Sequence, residues 1–226
     1  MGTQSKTTRR GARWLVGLLL LGVLAIAILP AVLREAPAVA RQVWSYVGVR
    51  RVEGHAAELR AAAAESGVDP CLLAAVMYSE SKGRLDAVSK RGALGAFQLM
   101  PAAAADAAKK LGLPEPSREV LLSDAELGAR LCASHLAWLL RQEGPDLERV
   151  LVAYNAGRGK LRRWVDEQGS YEAWRAGRVR EGGSGTLAYA RGVLSMRDRF
   201  LERGEISPSL VPIGGAGGDL ETSLPQ

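Results

Sequence analysis

The chain opens with an unbroken apolar run; from residue 53 onward, apolar positions instead recur every three or four residues, the period of amphipathic helices. The run from Trp14 to Val32 carries no charge, and at about 19 residues it approaches the ~20 that a helix needs to cross a hydrocarbon core. Lys6, Arg9, Arg10 and Arg13 precede it without an acid, which keeps residues 1–13 cytoplasmic by the positive-inside rule. Residues 14–33 are therefore expected to be a single transmembrane signal anchor, with the rest of the chain exported. A cleaved signal peptide, with Ala38-Val39-Ala40 as its site, is the second reading. Against it, the run is longer than a usual signal core and the site lies well past its end. Residues 34–52, with Pro37 and scattered Arg, read as a membrane-proximal linker or helical extension.

Residues 53–203 read as one all-α domain. An alanine-rich helix spans Glu53 to Ser66, with Gly67 placed to end it. Asp69 as N-cap and Pro70 as first helical residue open the next, which Gly83 terminates. Residues 84–100, with Gly92 and Gly95, read as a loop wrapped against the domain. A helix from Pro101 ends at Gly112, and Pro114 and Pro116 mark a turn. The spacing Ser123-Asp-Ala-Glu126 predicts a capping box and a long helix to Gln142, lined by Cys132, Leu136 and Leu139. Leu147, Val150, Leu151 and Tyr154 then follow helical spacing up to Gly157. Short helices are predicted at 159–167 and 170–176, and a final one at 186–202 turns Ala190, Val193, Leu194 and Phe200 inward. Residues 204–226 are rich in Gly, Pro and Ser and read as a disordered tail. No internal repeat or convincing strand emerges.

One residue disturbs this pattern. Glu80 lies seven positions after Leu73, four after Val76 and three after Met77, so it shares their core-facing stripe. It also sits in the helix's last turn, where the macrodipole disfavours an anion. An unpaired buried charge is costly, and both circumstances raise a carboxyl's pKa. A carboxyl protonated near neutrality is what a general acid requires. A Glu paired with a buried Arg, or turned to solvent at a frayed end, accounts for the geometry equally well. Gln98, among Phe97, Leu99 and Met100, points into a cleft or is a satisfied buried amide, and by periodicity alone Tyr154 is core packing.

Charge and cysteines narrow the field. The net charge is +6, but the four basic residues before the apolar run leave 26 basic against 24 acidic residues, or +2, on the remainder. A nucleic-acid footprint should lie on the folded domain, so nucleic acid is set aside. Cys71 and Cys132, both on predicted exported helices, form a disulfide or are two small buried residues. With only His55 and His135 and no cysteine cluster, neither a metal nor another cofactor is expected. Gly182-Gly-Ser-Gly-Thr186 fails the serine-nucleophile elbow at its last position. Gly157-Arg-Gly-Lys160 lacks the upstream glycine of a phosphate loop, and Leu161 replaces its Ser or Thr.

Three ordered motifs now carry a resemblance: Ala75-Val-Met-Tyr-Ser-Glu-Ser81 with Ala87-Val-Ser89, Gly92-Ala-Leu-Gly-Ala-Phe-Gln-Leu-Met-Pro101, and Ala153-Tyr-Asn-Ala-Gly157. From about Ala57 to Phe200 the chain resembles the soluble-lytic-transglycosylase (SLT) domain family, related to goose-type lysozyme. The resemblance implies a helical lysozyme-like fold, peptidoglycan glycan as substrate, and Glu80 as the catalytic acid and base. It places Ser81, Gln98, Tyr154, Asn155 and Tyr189 along the substrate cleft. Four departures stand out. The usual Gly-Leu-Met-Gln is Gly95-Ala-Phe-Gln98, a late Glu-Thr pair is Gly185-Thr186, and Gly128 and His135 stand where Asn and Tyr are common.

Most glycosidases use two carboxylates, whereas only Glu80 is well placed here; Asp86 lies six residues on, in the loop. The mechanism the resemblance implies needs one. Glu80 protonates the oxygen between MurNAc and GlcNAc, then takes the proton of the MurNAc 6-hydroxyl, which closes on C1 to give a 1,6-anhydro sugar. Competing readings are a goose-lysozyme-type hydrolase using the same acid, a non-catalytic peptidoglycan-binding scaffold, and a plain helical membrane adaptor.

Overall fold

A computed structural model describes residues 39–40 and 42–207. The expected anchor at 14–33, the segment before it and the tail from 208 lie outside the described residues. Among the described residues no helix is long and apolar enough to cross a membrane. The chain divides into two units, residues 1–47 and 48–226. In the first, residues 39–40 and 42–47 are helical, with Val39, Val43, Trp44 and Tyr46 exposed.

The second unit is all helical apart from two isolated β-bridges, Val88 with Leu94 and Leu94 with Leu99, among the described residues. It starts earlier than expected. Residues 48–53 form a helical segment, α1, and Val49 and Val52 belong to the core, so the last part of the expected linker is packed domain. The remaining helices are α2 (Ala56–Ser66), α3 (Pro70–Ser81), α4 (Pro101–Lys110), α5 (Arg118–Leu121), α6 (Ala125–Glu143), α7 (Leu147–Ala156), α8 (Arg158–Gln168), α9 (Tyr171–Arg180) and α10 (Gly185–Arg203).

Helix α3 is the centre. Its N-cap Asp69 accepts a hydrogen bond from the Cys71 amide at 2.8 Å and pairs with Arg197 of α10. Every residue from Cys71 to Tyr78 is buried, a wider apolar surface than the predicted stripe. Helix α10 packs along α3 and α7, and α2 packs along α6. The end of α3 is held closely by α1. A Cβ on Gly83 would come within 2.9 Å of Arg51 Cβ, and one on Gly48 within 3.1 Å of Tyr78 Cε2. The helix ends one residue before Gly83, on Lys82 in the left-handed region (φ 58°).

Three further expectations change. Asp124, not Ser123, caps α6 by accepting from the Leu127 amide at 2.9 Å, while the Ser123 hydroxyl donates to the Glu119 carbonyl. A carboxylate one position closer to the helix takes the orphan amide instead of the predicted box. Residues 204–207, expected in the disordered tail, continue the fold: Ile206 is fully buried and Arg60 donates to the Glu205 carbonyl at 3.0 Å. Cys71 and Cys132 are both free and buried, so the disulfide reading is replaced by two buried thiols. Cys132 Sγ lies 3.4 Å from the Tyr154 hydroxyl, and burial pushes the thiol pKa of Cys71 up to about 11.

Candidate active site

Glu80 emerges half-buried from the last turn of α3. The hydroxyl of Tyr189, one turn into α10, donates to Glu80 Oε1 at 2.7 Å. Burial pushes the Glu80 pKa up, and it outweighs the Tyr189 hydrogen bond and the nearby Lys82 ammonium, both of which pull it down. Burial rather than the helix end is the dominant cause. Among the described residues no second carboxylate contributes to the shift, and Asp86 is exposed in the loop. The reading of Glu80 as an acid paired with a buried Arg fails, since its hydrogen-bond partner is a phenol.

Tyr154 comes to the same place from the end of α7. Its hydroxyl donates to the Phe97 carbonyl at 2.9 Å, leaving a lone pair for the Cys132 thiol. Its pKa is raised mainly by burial, with contributions from Cys132, Glu80 and Tyr189, so the two tyrosines and the acid share one electrostatic environment. Tyr154 is therefore neither plain core nor a free cleft donor; it ties α7 to the loop. Asn155, the next residue, is exposed.

Gln98 is the other tie. It holds φ at 47°, and its Nε2 donates to the carbonyls of Ala87 at 3.0 Å and Gly95 at 2.9 Å. Its amino group thus braces the loop from within. Ser81 is buried, donating to the Met77 carbonyl at 3.4 Å and accepting from the Arg84 amide at 3.0 Å. Its hydroxyl shapes the chain reversal behind Glu80.

Two departures from the expected motifs meet in space. A Cβ on Gly128 would stand 3.5 Å from Phe97 Cδ2, in ordinary van der Waals contact with the ring. Residues 97 and 128 are thus neighbours in the fold. His135, the third departure, lies between Trp138 (centroids 5.7 Å apart) and Tyr154 (5.6 Å). Burial, then Lys110, push its pKa down to about 4, so the imidazole is neutral.

Sequence reasoning missed Lys82 as a neighbour of Glu80. Lys82 itself holds the left-handed conformation that ends the helix, which no helical wheel describes. The Cys132–Tyr154 contact was signalled only by both residues lying on inward faces.

Residues 58–176, more than half of the chain, match the family described as Transglycosylase SLT domain. Over 91 residues, 40% of this chain, the sequence is 32% identical to the soluble lytic murein transglycosylase of Escherichia coli K12, covering 14% of that protein. The fold matches lytic transglycosylase Slt of Pseudomonas aeruginosa, solved as an inactive Glu-to-Gln mutant, with a TM-score of 0.58 and 27% identity over 67% of this chain and 24% of that one. It also matches the 70 kDa soluble lytic transglycosylase in complex with bulgecin A, a likeness of fold at a TM-score of 0.62 and 22% identity, over 80% of this chain and 29% of that one. The chain thus spans only a small part of each relative's length. With the helical fold in common and the family match running through Glu80, Gln98 and Tyr154, the chain belongs to the Transglycosylase SLT domain family.

Proposed function

We propose that this chain is a peptidoglycan lytic transglycosylase, with Glu80 acting first as acid and then as base on the MurNAc–GlcNAc bond. The observation that supports it is a lone, half-buried carboxyl with a raised pKa and a tyrosine donor on one oxygen. Because Oε1 accepts from Tyr189, the acid proton belongs on Oε2. Once Oε2 has protonated the glycosidic oxygen, the Tyr189 hydrogen bond stabilises the carboxylate left behind. That carboxylate then removes the proton of the MurNAc 6-hydroxyl as its oxygen bonds to C1, while the substrate's N-acetyl carbonyl steadies the developing cation. One acid suffices because no water has to be activated, unlike the two-carboxylate glycosidases. Gln98 and Tyr154 hold the loop that walls the cleft; Asn155, exposed beside them, is assigned to substrate contact.

We assign residues 14–33 to a membrane anchor and residues 1–13 to the cytoplasmic side, which places the domain against the cell wall. The uncharged run and its basic flank support this.

Digestion of purified sacculi followed by product mass analysis tests the chemistry. The expected products carry 1,6-anhydro ends; fragments one water heavier would establish the hydrolase instead. Glu80→Gln should lower release by about 10²–10⁴-fold, the range of a general acid–base group. A variant as active as the parent would remove Glu80 from the reaction.

A further inference from the structure

The Glu80 mechanism does not use the cluster at the far side of Tyr154. His135 packs on Tyr154, Trp138 packs on His135, and Lys110 Nζ stands 4.3 Å from the centroid of the Trp138 ring. Three contacts thus lead from the site to an exposed lysine at the end of α4. A second cation, Arg158, also lies over Trp138 at 5.5 Å, but its Nε is committed to Glu143 at 2.6 Å. Lys110 has no ion pair among the described residues; Asp106 is the nearby acid that acts on it, and Arg141 adds positive charge. Among the described residues His135 makes no hydrogen bond, so its neutral ring has one donor and one acceptor unspent.

An ammonium held over an indole is a cation whose position is set before a ligand arrives. An uncommitted cation beside an uncommitted imidazole matches an anion with several acceptor oxygens. Sugar rings of a glycan strand are neutral; its anions are the carboxylates that hang from it. We propose that Lys110 and His135, set by Trp138, form a subsite for a carboxylate borne by the glycan strand. The proposal rests on the glycan reading of the Glu80 cleft. The carboxylate has two sources, the lactyl group of peptide-free MurNAc and the stem peptide attached through it.

The test is calorimetric binding with the full chain carrying Glu80→Gln, so that ligand is not consumed. Three probes are used: N-acetylglucosamine tetramer, a peptide-free GlcNAc–MurNAc oligomer, and the same oligomer bearing stem peptides. Lys110→Gln is expected to weaken binding of a carboxylate-bearing probe about fivefold or more and leave the neutral tetramer unchanged, with Lys110→Arg restoring most of the loss. Loss on both MurNAc probes identifies the lactyl carboxylate, and loss on the peptide-bearing probe alone identifies the stem. An unchanged affinity for every probe, or an equal loss on all three, overturns the subsite while leaving the Glu80 cleft intact. Failure of the Glu80→Gln chain itself to bind any probe overturns the cleft reading and the subsite with it.

Discussion

The site is built by one side chain that is uncomfortable where it stands. A carboxyl whose folded-state pKa lies above its unfolded value binds its proton more tightly in the native state, so stability falls as pH rises through that interval. For Glu80 the full penalty is present above the raised folded value and absent below the ordinary carboxyl range. Glu80→Gln should therefore melt higher than the parent at pH 8, with each kcal/mol regained worth ~2–4 °C in a chain of this size. The two proteins should converge near pH 4, and thermal unfolding at both pH values checks the sign. The same residue was legible in the sequence up to a point. Helical spacing placed Glu80 on the core stripe and implied the upward shift. It did not say that a phenol 109 positions away would be its partner, because α10 meets α3 only through tertiary packing.

At the scale of elements, the loop between α3 and α4 depends on glycine where backbone meets backbone. Gly95 has φ 75°, and a Cβ there would lie 2.1 Å from the Leu121 carbonyl oxygen of α5. Gly92 has φ 84° but open space around it. Gly95→Ala should cost about 3 kcal/mol or more, since neither backbone can yield, whereas Gly92→Ala should cost only the ~1 kcal/mol of its strained dihedral. Chemical denaturation of the two variants separates clash from strain. An apolar period made α7 and α10 readable from residue order alone, and the Asp69-Pro70 start did so for α3. Four-residue α5 was hidden because so short a segment shows no period. The last turn of α9, residues 177–180, was missed because Gly177 and its charged neighbours add no apolar period, yet the helix continues to Arg180.

For the molecule as a whole, the domain is longer at both ends than its sequence pattern suggests. Val49 and Val52 enter the core before the first predicted helix, and Ile206 enters it after the last. Composition misled at both places: Ile206 is a single apolar residue among Gly, Ser and charged neighbours, and Val49 and Val52 are too short a run to establish a period. Ile206→Ala should cost ~2–4 kcal/mol, the usual loss for a buried aliphatic side chain, despite its position in a segment that looks dispensable. Urea unfolding of this variant against the parent measures it. Helix α3, buried from Cys71 to Tyr78, has a different consequence. Segments that open in small local fluctuations are those with few buried contacts, and the helix that carries the acid is not one of them. Loss of the acid is expected to accompany loss of the whole domain. Heat should therefore extinguish turnover and tertiary structure together, in a single cooperative event.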